Sequence, residues 1–111
     1  MVSIDTFRKL ALSLPHTTEE PHFEKTSFRI NKKIFATLDE KENRACLMFD
    51  LVQQSVFSAY DKTIIYPVPN KWGQKGATYI ELKKVRKDVL KDALEQAYNK
   101  VAIKTKPVKK K

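Results

Sequence analysis

An α+β fold is what this sequence predicts: a two-layer sandwich in the order α-β-β-β-α-β-β-α, with an antiparallel five-stranded sheet and the helices on one face. Three observations carry that prediction. Apolar residues recur at helical spacing near both ends of the chain. Between the ends lie short apolar and β-branched runs separated by tight turns. A short capped helical stretch interrupts those runs once.

Ser3 opens the first helix as its N-cap, and Ile4, Phe7, Leu10, Ala11 and Leu14 share one face until Pro15 stops it. The polar stretch PHTTEEPHFEK holds two prolines and reads as a connecting loop. TSFRI (26–30) is the first strand. NKK turns into IFATLDE (34–40), and KENR turns into ACLMFD (45–50), so three strands form an antiparallel meander. Asp50 caps a helix over 51–60, with Leu51, Val52, Val56 and Phe57 on one side. TIIYPV (63–68) is a strand that ends at Pro67 or lies at an edge, because proline donates nothing to a ladder. In ATYIELK (77–83), Thr78, Ile80 and Leu82 share one face, and Ala77, Tyr79 and Glu81 the other. The last helix, about 85–103, carries Val85, Val89, Leu90, Ala93, Leu94, Ala97, Tyr98 and Val101 as its apolar stripe.

The 111 residues suit one domain, expected over 1–103, followed by a basic disordered tail over 104–111. An apolar fraction of 41% is enough to fill a core. No stretch is long and apolar enough to span a membrane, and no signal peptide precedes the first helix. A single cysteine, Cys46, forms no internal disulfide, and the expected setting is the cytoplasm. The net charge is +9, and its placement is uneven. Residues 1–55 hold eight basic and eight acidic side chains, whereas residues 56–111 hold fourteen and five. The excess therefore lies wholly in the second half, which suits a polyanionic partner or a solvated basic tail. Five of the lysines fall in the last eight residues.

NKWGQKGATYIEL (70–82) holds the one tryptophan, Trp72, and both glycines, Gly73 and Gly76. GQKG matches neither a Walker loop nor a dinucleotide fingerprint, and a strand follows it, so the glycines read as a turn needing positive φ at one or both. His16, His22, Glu19, Glu20 and Glu24 make a His/Glu-rich loop. Their spacing matches no helical metal pair, which favours solvated or capping roles over a metal site. Cys46 sits inside an apolar strand, where a thiol is an inert small hydrophobe. Lys71 and Lys75 flank Trp72, and Lys83, Lys84, Arg86 and Lys87 follow where the last strand meets the last helix. Clustered cations neutralise phosphates, and an exposed tryptophan stacks on a base or braces the backbone. A charged helix end and a hydrophobic lid over the sheet edge explain the same residues without any partner.

TTEEPHFEKTSFRINKKIFATL, VPNKWGQKGATYIELKKV and LKDALEQAYNKVA, taken in that order, resemble the MmcQ/YjbR-like family of small bacterial proteins. The resemblance covers nearly the whole chain apart from the lysine tail. It is carried by KKIFA at Lys32–Ala36, the WGQKG turn and the terminal helix with Tyr98. It implies the same α-β-β-β-α-β-β-α order, similar to secretion-chaperone-like and frataxin-like folds. It also implies DNA binding by a double-wing arrangement of strands and turns, with no enzymatic activity and no cofactor. Many relatives carry a tryptophan directly after the second glycine. Ala77 stands there in this chain, which leaves electrostatics as the main expected term.

The expectation is therefore a monomeric, non-enzymatic, cytoplasmic protein without cofactor, metal or membrane contact, binding DNA through phosphates with little sequence selectivity. Its expected contacts are Lys71, Lys75, Lys83, Lys84, Arg86 and Lys87, with Trp72 bracing the turn and the tail lysines adding to the attraction. The alternative is a protein-interaction or small-ligand module that uses the uncovered sheet face, at positions such as Phe35, Cys46, Met48 and Tyr79, with the basic tail incidental.

Overall fold

A computed structural model describes residues 1–105 of the chain. The elements run α1 (Ile4–Leu12), β1 (Thr17–His22), β2 (Lys25–Ile30), β3 (Lys33–Asp39), β4 (Arg44–Met48), α2 (Leu51–Ser58), β5 (Ile65–Pro67), α3 (Lys71–Gln74), β6 (Ala77–Glu81) and α4 (Lys87–Thr105). All pairs in the sheet are antiparallel, in the order β1-β2-β3-β4-β6-β5. The fold class is as the sequence predicts, with six strands in place of five. α4 runs to Thr105, and the tail expected over 104–111 otherwise lies outside the described residues.

The sixth strand is β1, drawn from the stretch read as a loop. It lacks a buried face, its central residues being exposed, so no apolar alternation announces it. Its pairing with β2 runs from Thr17↔Ile30 to His22↔Lys25. The buried Ser27 hydroxyl donates to the Glu20 carbonyl at 2.9 Å, and Pro21 is tolerated because the strand lies at an edge.

Each turn follows from its residues. Ser3 caps α1 by accepting from the Thr6 amide at 3.1 Å. Asn31 and Lys32, both at positive φ (51° and 69°), close the two-residue β2–β3 hairpin, where a type I′ turn demands that sign at both positions. Asp50 and Gln53 form a reciprocal capping box at the start of α2.

The core lies between one sheet face and α1 and α4. Phe7 meets Phe28 edge-on at 5.5 Å, Phe35 meets Tyr98 at 5.4 Å, and Leu90, Ala93, Leu94 and Ala97 are buried along α4. The Tyr98 hydroxyl donates to the Pro15 carbonyl at 2.6 Å, joining α4 to the end of the α1 segment. Thr78, Ile80 and Leu82 point into this core, as their alternation predicts. α2 attaches mainly through Phe57, stacked on Phe49 at 5.1 Å. Its Leu51, Val52 and Val56, expected on a packed side, are 56%, 72% and 63% exposed.

Candidate functional site

The second sheet face is not covered by helices, and it curves into an open groove of about 530 Å³. Ile34, Thr37, Cys46, Met48, Ala77 and Tyr79 form its floor; His22, Phe23 and Lys25 stand at one end, and Val68, Asn70 and Trp72 at the other. Among the described residues no carboxylate lines it, although Glu24 borders a shallower hollow beside the hairpin. The pairings Thr26↔Leu38, Leu38↔Ala45 and Ala45↔Ile80 set the Phe23 hairpin level with the Glu81 end of β6. Trp72 lies off the other end of β6, beside Ala77, so the groove crosses the sheet diagonally.

Cys46, Met48 and Tyr79 thus face the open side, as their alternation suggests, but Phe35 does not. The register shifts between Phe28 and Arg29, which pair with Ala36 and Ile34 and leave Phe35 as the extra residue of a bulge. The bulge turns Phe35 into the core and sets Ile34 into the groove in its place.

The groove's Trp72 end is rigidly built. Asn70 accepts from the Trp72 amide at 2.8 Å and starts the single turn of α3, a helix inside the stretch read as a plain turn. The Gln54 amide of α2 donates to the Gly73 carbonyl at 2.8 Å and to the Ala77 carbonyl at 3.2 Å. Gly76 supplies the positive φ, +119°, whereas Gly73 is required for close approach: a Cβ there falls 1.7 Å from the Val68 carbonyl oxygen. Lys71, Trp72 and Lys75 are all exposed on this turn, and the Lys75 ammonium sits 5.7 Å from the Trp72 ring centroid.

The other four expected contacts lie elsewhere. Lys83, Lys84, Arg86 and Lys87 are exposed beyond the Glu81 end of β6, separated from α3 by the strand's length of roughly 13 Å. Arg86 is engaged by Asp88 at 2.9 Å. The seven residues therefore form two groups and not one patch. Along the open face between them, Arg44 lies 4.1 Å from the Tyr79 ring centroid, and Tyr66 donates to Glu81. Burial, and then the hydrogen bond to Glu81, raise the Tyr66 phenol above its ordinary value.

The family model YjbR matches residues 12–100. The chain belongs to the YjbR family. This YjbR domain is also similar in fold to the crystal structure of Deinococcus radiodurans protein DR2400, described with a DUF419 domain, at a TM-score of 0.81 and 23% identity over 96% of this chain and 83% of that one. No curated protein matches the chain.

Other candidate groups in the YjbR domain are occupied structurally. Glu19 and Glu40 bind Arg8 at 2.9 and 3.0 Å, holding the guanidinium pKa above its ordinary value. Among the described residues no cluster of His, Cys, Asp and Glu has the makings of a metal site. Burial pushes the Cys46 thiol up to about 11, against weaker opposing effects of a Thr78 backbone hydrogen bond and nearby Lys25 and Arg44, so it is a poor nucleophile at neutral pH. Among the described residues no helix is long and apolar enough to cross a membrane. Sequence reasoning missed Phe23 and Lys25 as groove residues, because they sit in a segment taken for a loop. The two-residue loop Phe23-Glu24 between His22 and Lys25 carries no glycine or asparagine, so no hairpin turn signal marked it in the sequence.

Proposed function

We propose that this protein is a non-enzymatic DNA-binding module that holds nucleic acid through its phosphates, with the α3 turn as the anchor. The observation that carries the reading is the grouping of Lys71, Trp72 and Lys75, all exposed on one hydrogen-bonded turn at the mouth of a groove that, among the described residues, no carboxylate lines. Cations placed this way neutralise phosphates and release counterions with little regard to sequence. Lys83, Lys84, Arg86 and Lys87 act as a second, outlying contribution, and they extend attraction to a polyanion along the same half of the chain. Fluorescence anisotropy with labelled DNA at low salt tests the reading, comparing the full chain with one ending at Thr105. Binding that survives the truncation is expected. Binding that disappears with residues 106–111 alone would show that the folded domain does not read DNA.

A second reading rests on the apolar floor, where Ile34, Met48 and Tyr79 fit a small ligand or a partner protein's side chains. It predicts no response to DNA at any salt concentration, and ligand-induced thermal stabilisation instead.

A further inference from the structure

We propose that the open groove takes single-stranded DNA, with one unpaired base stacked on Trp72 at one end, another on Phe23 at the opposite end, and Lys25, Lys71 and Lys75 meeting the phosphates. This rests on the nucleic-acid reading above and narrows it from DNA in general to an unpaired strand.

Phe23 is the first support. It is 94% exposed, so it fills no core, and it holds a φ of +60°, a left-handed conformation that a bulky L residue adopts only under strain. Its ring packs edge-on against His22 at 4.9 Å. The two-residue hairpin between His22 and Lys25 demands positive φ at this position, which Gly, Asn or Asp would adopt at less cost, so a bulky, solvent-exposed phenylalanine is an unfavourable choice for the turn alone. Trp72 is the second support, 66% exposed with a lysine ammonium beside its ring. That pairing offers a base a stacking face and its phosphate a cation at the same place.

The groove joins the two. Phe23, in the β1–β2 hairpin, and Trp72, in the connection between β5 and β6, line the same cleft about four strand spacings apart, roughly 19 Å across the sheet. The floor between them is mostly apolar, Lys25 lines it at the Phe23 end, and Lys71 and Lys75 stand exposed beside Trp72 at the other, which complements a strand with bases on one side and phosphates on the other. A duplex keeps its base faces stacked inside and presents only edges and phosphates, so aromatic platforms are useful to it only after costly unstacking.

Trp72 is the chain's one tryptophan, so intrinsic fluorescence reports the site directly. The full chain is titrated with an oligothymidylate of about 12 nucleotides, a duplex of equal length, and thymidine monophosphate. The oligothymidylate is expected to quench Trp72 and to bind more tightly than the duplex. Phe23→Ala is expected to weaken it about 5- to 150-fold while leaving duplex binding unchanged, and Trp72→Ala to weaken it more than Trp72→Phe. Both positions are exposed, so the variants keep the fold. Duplex binding as tight as single-strand binding, with Phe23→Ala silent, overturns the groove proposal and leaves the DNA reading standing. No binding of either DNA at low salt overturns both. Thymidine monophosphate binding as tightly as the oligonucleotide overturns the strand assignment in favour of a small-ligand site.

Discussion

Gly73 and Gly76 stand three residues apart, yet different constraints hold them. Gly73 lets α3 touch the Val68 backbone, and Gly76 combines positive φ with a Cβ position 1.9 Å from the Phe49 carbonyl oxygen. Urea unfolding of Gly73→Ala and Gly76→Ala is expected to show losses of about 2–4 kcal/mol each, and a loss below about 0.5 kcal/mol contradicts the assigned geometry. Cys46 gives a second residue-scale prediction. Its folded thiol keeps its proton up to about 11, against 9.0 for an ordinary thiol. At pH 8 it is expected to react with a thiol reagent roughly 100-fold slower than in the urea-unfolded chain, and near-equal rates would contradict the burial. The sign for stability follows: the folded pKa is raised, so the contribution is full below about 9 and is lost as pH rises through about 11. Cys46→Ala removes that part of the pH dependence. The role of the glycines as a turn was legible from composition. That one of them serves packing was not, because contact with Val68 is set by tertiary structure.

At the scale of elements, α2 separates what patterning shows from what it hides. Its start was legible, since Asp50 and Gln53 have capping-box spacing, and Asp50→Ala is expected to cost about 1 kcal/mol in thermal or urea unfolding. Its packed side was misleading. Leu51, Val52 and Val56 have helical spacing but face solvent, and Phe57 carries the contact to Phe49. Val56→Ala is therefore expected to change stability by less than about 0.5 kcal/mol, whereas Phe57→Ala costs about 3 kcal/mol; the reverse order would contradict this packing. β1 was invisible to patterning for a related reason, because an edge strand with no buried face needs no alternation. The Phe35 bulge shows a third limit. Strand phase read from alternation holds only until one residue is inserted, and here that residue exchanged Phe35 for Ile34 in the groove.

For the whole molecule, the layer architecture followed from two apolar stripes and a run of short strands, and these are properties of sequence alone. The candidate site was only half legible. The charge excess after residue 56 pointed to Lys71, Trp72 and Lys75, but pairing across the sheet decided that Lys83, Lys84, Arg86 and Lys87 would lie past the other end of β6. Pairing also brought Phe23 into the same groove as Trp72, 49 positions later in the chain. The central claim is that DNA is held by phosphates at the α3 turn, and the salt dependence of binding tests it most directly. With about four to six phosphates neutralised, log K against log salt is expected to fall with a slope near −4 to −5 on duplex DNA, and less steeply on a single strand. Lys71→Ala together with Lys75→Ala is expected to make that slope shallower by about 1 to 2. An unchanged slope in that double variant, with the loss found instead on removing residues 106–111, would contradict the account.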